Sequence, residues 1–123
     1  MSVELNLLTK VRTQVGHVRV YQVIAVDGAA RPYVVQTLIS KTEVGMGVTR
    51  YRFQLDSWAD TYAQAKNQAQ QITAAIRSLE LGPAANVSAN YRENEQDLYE
   101  RETSLHRVSI DAVLFYEEKP TFS

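Results

Sequence analysis

The side chains able to do chemistry are few and scattered. His17 and His106 are the two histidines, and neither HxxxH nor HExxH occurs, the spacings that would turn two imidazoles toward one metal on a helix face. His106 opens a predicted strand beside Leu105 and Arg107 and reads as an edge-of-sheet residue rather than a base. Four acids crowd the stretch EQDLYERE, namely Glu95, Asp97, Glu100 and Glu102. The glycine and closing bidentate glutamate of a calcium loop are missing, so a solvated polar connection is expected there. The segments GMG and GAA lack the Lys-Ser/Thr and the strand-turn-helix setting of a phosphate cradle. Asn86-Val87-Ser88 matches the glycosylation triplet, which means little without a secretory route. Arg50 and Arg52 share one strand face and could meet phosphate or an acidic partner, yet few other cations surround them. The chain has no cysteine, which excludes thiolate nucleophiles, thiolate metal sites and disulfides. No set of nucleophile or metal, base and orienting group can be assembled. The residues therefore read as non-enzymatic, with no cofactor and no metal.

The elements around these residues are well marked. Leu8, Val11 and Val15, extended by Val3 or Leu5, recur at helical spacing up to Gly16. HVRVYQVIA then alternates and predicts a short extended segment, and DGAARP reads as a loop. YVVQTLISK (33–41) is rich in β-branched residues and predicts a strand. TEVGMGV (42–48) predicts the tip of a hairpin around Met46. On the return strand Tyr51, Phe53 and Leu55 point one way, and Arg50, Arg52, Gln54 and Asp56 the other. Asp60 or Thr61 then caps a helix, with Gln64 placed as in a capping box. Tyr62, Ala65, Ala69, Ile72, Ile76 and Leu79 form its apolar stripe, and Gly82-Pro83 is expected to close it. A further strand is predicted near 86–94, a polar connection at 95–104 and a long last strand at 105–118. Val108, Ile110, Ala112, Leu114 and Tyr116 share one face of that strand. The expected architecture is α+β, with a mainly antiparallel sheet of four to five strands and one long and one short helix packed on one face. Its 123 residues suit one domain, 1–123. Net charge is −1 with 22% charged residues, which marks no nucleic-acid binder. The first residues lack the pattern of a secretory leader, and no apolar run nears the roughly 18 residues of a membrane span.

Two helices can cover only one face of such a sheet, so the other should be polar. It is not wholly so. Trp58 falls by strict alternation on the side of Arg50 and Arg52, and Val113 and Phe115 lie opposite Val108 and Leu114. Either these are scattered exposed apolar residues of the ordinary kind, or another chain covers them. A bulge at Ser57 would turn Trp58 inward instead.

The ordered set RPYVVQTLIS, TRYRFQLDSWADTYAQAKNQAQQITAAI and RENEQDLYERETSLHRVSIDAVLFY resembles the tail-completion, or tail-terminator, proteins of long-tailed bacteriophages. The likeness runs from about 17 to 117. TSLHR departs from the family pattern, and GPAANVSA follows none. The resemblance implies a structural virion protein with a tail-tube-like fold, made in the host cytoplasm. Members assemble, usually as a hexameric ring, on the head-proximal end of the tube, stop its growth and present a joint to the head-closure or connector protein. DNA passes through the lumen without specific binding, and no membrane is involved. The ring interface is read from patterning, with Trp58, Val113 and Phe115 as one patch, Arg50 and Arg52 beside it, and Met46 reaching a neighbouring ring. The rivals are another neck or tube ring protein and a monomeric binding module or small enzyme.

Overall fold

A computed structural model describes residues 3–25, 28–79 and 85–118, without the side chains of 85–89 and 117–118. The elements run α1 (Val3–Val15), β1 (Val20–Gln22), β2 (Tyr33–Gly45), β3 (Val48–Ala59), α2 (Tyr62–Arg77), β4 (Ala85–Glu100) and β5 (Leu105–Glu118). They form an α+β fold around a five-stranded sheet of order β1-β2-β3-β5-β4. Every pairing is antiparallel except β1 with β2, where Val20 lies against Val34 in parallel register.

Alternation decides which side chains enter the core. Tyr51, Phe53 and Leu55 of β3 and Val108, Ile110, Ala112 and Leu114 of β5 lie on one face and are buried beneath the helices. Ala65, Ala69, Ile72 and Ile76 of α2 meet them from above, and Leu7, Leu8 and Val11 of α1 complete the layer. Each large apolar side chain so buried contributes about 1.5–3 kcal/mol relative to exposure, far more than a surface ion pair. Leu5, one of two alternatives for extending the α1 stripe, is 48% exposed, whereas Val3 is buried.

Thr61 caps α2, its Oγ1 accepting from the Gln64 N–H at 3.2 Å. The helix ends at Arg77 with Ser78 as its cap, earlier than the Gly82-Pro83 stop expected from sequence, which lies outside the described residues. The Asn90 side chain donates to the Ile76 carbonyl and so satisfies one of the last helical acceptors from β4. Residues 95–100 are strand, not loop: β4 continues to Glu100, and only 101–104 turn. The polar composition that suggested a connection belongs instead to an edge strand, where charged side chains are favoured.

Trp58 needs no bulge. β3 runs in unbroken register against β5 from Val48 to Ala59. Trp58 therefore stays on the face away from the helices, beside Tyr33 and Arg107.

Candidate assembly surfaces

The titratable residues mostly hold the fold. The Arg19 N–H donates to His17 Nδ1 at 3.2 Å, which leaves Nε2 to donate to Gln68 Oε1 at 2.8 Å. Gln68 Nε2 in turn donates to the Tyr33 carbonyl at 3.0 Å and Ser57 Oγ at 2.8 Å, and Ser57 donates to the Ala65 carbonyl at 2.9 Å. This chain of bonds ties α1's exit to β2, β3 and α2. Burial depresses the His17 pKa; the Gln68 bond opposes that shift and the Arg19 charge adds to it. His106 packs its ring against Tyr99, with centroids 4.8 Å apart, and against Tyr62 at 6.1 Å. The expected acidic connection is split by strand geometry. Glu95 and Asp97 face α2, where Lys66 Nζ reaches them at 2.7 and 2.9 Å. Tyr62 also donates to Asp97 at 2.9 Å. The bonds from Lys66 and then Tyr62 hold the Asp97 carboxyl below the usual range, while its two acceptors push the Lys66 ammonium up. No group of acids or histidines poised for a metal ion occurs among the described residues.

On the face away from the helices, cross-strand rows define two ends and a middle. At one end lie Tyr33, Trp58, Arg107 and Leu98; at the other, Ser40, Arg52, Val113 and Tyr91, then Thr42, Arg50 and Phe115. Between them Thr37, Gln54, Asp111 and Asn94 make a polar band, with Val35, Asp56, Ser109 and Gln96 beside it. Gln54 donates to Asp56 at 3.1 Å, and Asn94 to Asp111 at 3.4 Å. Trp58 and Phe115, expected in one patch, therefore belong to different ends. The rise from residue 50 to 58, at about 3.3 Å each, separates them by roughly 26 Å. Val113 points to this face as expected but is only 2% exposed, so it supports the patch from below rather than presenting itself. Phe115 is half-buried and Tyr91 is 43% exposed. Arg52 is bound to Glu93 at 2.8 Å, and the Nε of Arg50 is buried. The Arg52 charge is thus already met within the chain, and part of the Arg50 guanidinium is packed into this end of the sheet.

The Trp58 end holds a cavity of about 560 Å³. The return from β1 to β2 passes over this face, and Val23, Ile24, Ala25 and Arg31 form one wall against Tyr33, Val35, Trp58, Leu105 and Arg107. Trp58 stacks on Tyr33 with centroids 6.1 Å apart, and the Arg107 guanidinium lies 5.3 Å above its ring. Arg107 Nε is 3.2 Å from Asp56 Oδ1, an ion pair off the line of a hydrogen bond. Arg19 donates to the Pro32 carbonyl at 2.9 Å and Arg12 to the Val20 carbonyl at 2.9 Å; both bonds anchor this return.

The far end of the β2–β3 hairpin carries Met46, 99% exposed. Gly45 pairs with Val48, so the hairpin tip expected around Met46 is the two-residue turn Met46-Gly47. Both have positive φ, 55° and 77°, as the type I′ hairpin turn requires and as glycine best tolerates.

Sequence reasoning missed the cavity and the buried glutamine. Gln68 falls on the α2 stripe between Ala65 and Ile72, and a polar residue on an apolar stripe signals a buried hydrogen-bond hub. Nothing local signals the cavity, because its walls come from four separate segments.

The sequence matches the profile of the family described as Tail completion protein gp17 over residues 5–117. No curated protein matches it. Among solved structures, a chain from the virion of a native gene transfer agent particle superposes with a TM-score of 0.71 at 15% identity, covering 94% of this chain and 95% of that one. That likeness is one of fold. The chain belongs to the phage tail-completion family, and is thereby a structural component of a phage tail.

Proposed function

We propose that copies of this chain, six in number, form a ring on the head-proximal end of the tail tube, stop its polymerisation and supply the joint to the head connector. The observation that carries this reading is the apolar surface at both ends of the helix-free face, Trp58 with its cavity at one and Phe115 with Tyr91 at the other. A ring is built from heterologous contacts, in which one patch meets a different patch of the neighbour, and two separate patches satisfy that need. The Met46 turn makes a contact outside its own chain, in the same ring or a neighbouring one. A net charge of −1 gives DNA in the lumen little to hold. The chain catalyses no reaction.

Electron microscopy of tail-tube protein polymerising with and without this chain tests the reading. Tubes capped at one end and shortened with added chain are expected. Tubes into which the chain copolymerises would make it a tube subunit instead, and tubes left unaffected would remove the capping role. Phe115→Asp should stay folded by circular dichroism yet form no ring; rings that persist would remove Phe115 from the interface.

A further inference from the structure

The cavity at the Trp58 end has a shaped mouth and no uncompensated charge. Arg31 is paired with Asp60 at 3.0 Å and Arg107 with Asp56 at 3.2 Å, so the remaining lining that matters is Tyr33, Val35, Trp58 and Leu105. Its rim is apolar and turned outward: Val23 is 71% and Ile24 77% exposed. That rim is held in an unfavourable backbone. Val23 has φ 69°, and the Ile24 N–H donates to the Gln22 carbonyl at 2.7 Å, a γ-turn of the strained hand at a β-branched residue. Strain kept at an exposed apolar rim points to a contact made there, and the absence of free charge calls for an apolar occupant.

The same chain carries a matching projection. Among the described residues Met46 is the most exposed large apolar side chain, with Val44 behind it at 49% exposure. It stands on a two-residue turn between glycines. An unbranched thioether adapts to irregular holes and packs well against aromatic rings, and this hole has a Tyr33–Trp58 floor. Cavity and turn lie at opposite ends of one β2–β3 hairpin, roughly 40 Å apart over residues 46–58 at about 3.3 Å per residue, so they cannot meet within one chain. We infer that the Met46 turn of one copy seats in the Trp58 cavity of the next copy around the ring. This rests on the ring reading above and adds the Met46 turn, which lies just beyond the Phe115 end, to the contact with the neighbour's Trp58 end.

The chain has no cysteine and one tryptophan, and both facts serve the test. The double variant Ile24→Cys/Met46→Cys, bound to tail tubes and oxidised with copper phenanthroline, should give a ladder of covalent multimers on a non-reducing gel. Each single variant should give none above a dimer. Capped tubes without a ladder would overturn the contact while leaving the ring reading intact, as would crosslinks from Cys at position 46 to a different tail protein. Tubes that the native chain does not cap would overturn both. Should the double variant fail to bind tubes, native chain labelled with fluorotryptophan decides. The Trp58 fluorine resonance should shift on capping, and the shift should be lost in Met46→Asp; an unmoved resonance in native chain overturns the proposal.

Discussion

Gln68 shows how one polar side chain can organise a core. It is 3% exposed and joins His17, Tyr33 and Ser57. Gln68→Ala removes these bonds and takes the side-chain partner from the His17 Nε2–H and the Tyr33 carbonyl, so a loss of about 2–3 kcal/mol is expected, read as a lowered urea midpoint. His17 makes the same hub sensitive to pH. Its Nδ1 accepts from a backbone N–H, so a second proton would break that bond. The neutral ring is favoured in the folded chain, whose pKa lies below the usual 6.5. As pH falls through 6.5 the unfolded chain binds a proton that the folded chain refuses, and stability drops. Above 6.5 this contribution is fully present. Thermal unfolding between pH 5 and 7 should show the decline in the native chain and a flatter profile in His17→Gln. None of this was legible from His17 itself, because its partner is 51 positions away.

The elements were legible where one period dominated. β3 and β5 repeat their core-facing apolar residues every second position, and α2 carries a continuous stripe, so their existence and faces followed from sequence. β4 was half hidden because an edge strand facing solvent has little apolar alternation, and EQDLYE reads as a loop until Lys66 is placed above Glu95 and Asp97. That clasp joins α2 to the edge strand. Its members keep 22–44% of their side-chain surface open to solvent, and such screened pairs contribute about 1 kcal/mol or less. Lys66→Met should therefore barely move the melting temperature, yet should speed hydrogen exchange in β4 amides, where α2 holds the edge down. Thr61→Ala removes the α2 cap, and a loss of about 1 kcal/mol is expected, seen as a lower denaturant midpoint with unchanged slope.

For the whole molecule, the residues on the helix-free face were found by parity but not their grouping. Counting by twos puts Trp58, Val113 and Phe115 on one side; only the register against β2, β4 and β5 shows that a polar band divides them and that Val113 is covered. The division has a measurable consequence for assembly. Phe115→Asp and Ile24→Asp damage different ends, so each should abolish ring formation alone, while an equal mixture of the two variants should recover only partial, short assemblies by sedimentation. A single shared patch would give no recovery.

The charged edge of β4 bears on the life of the subunit before it finds a tail. A strand of 16 residues at the edge of the sheet, among the described residues, is a template onto which any extended chain can stack, and newly made copies crowd one another. Glu93, Glu95, Asp97 and Glu100 line it, three of them held in ion pairs with Arg52, Lys66 and Arg92, and a charged border of this kind must be desolvated before a second strand can stack on it. Newly synthesised protein can then stay dispersed until a tube end offers it a seat, and its colloidal reserve should shrink when those carboxylates are replaced by their amides.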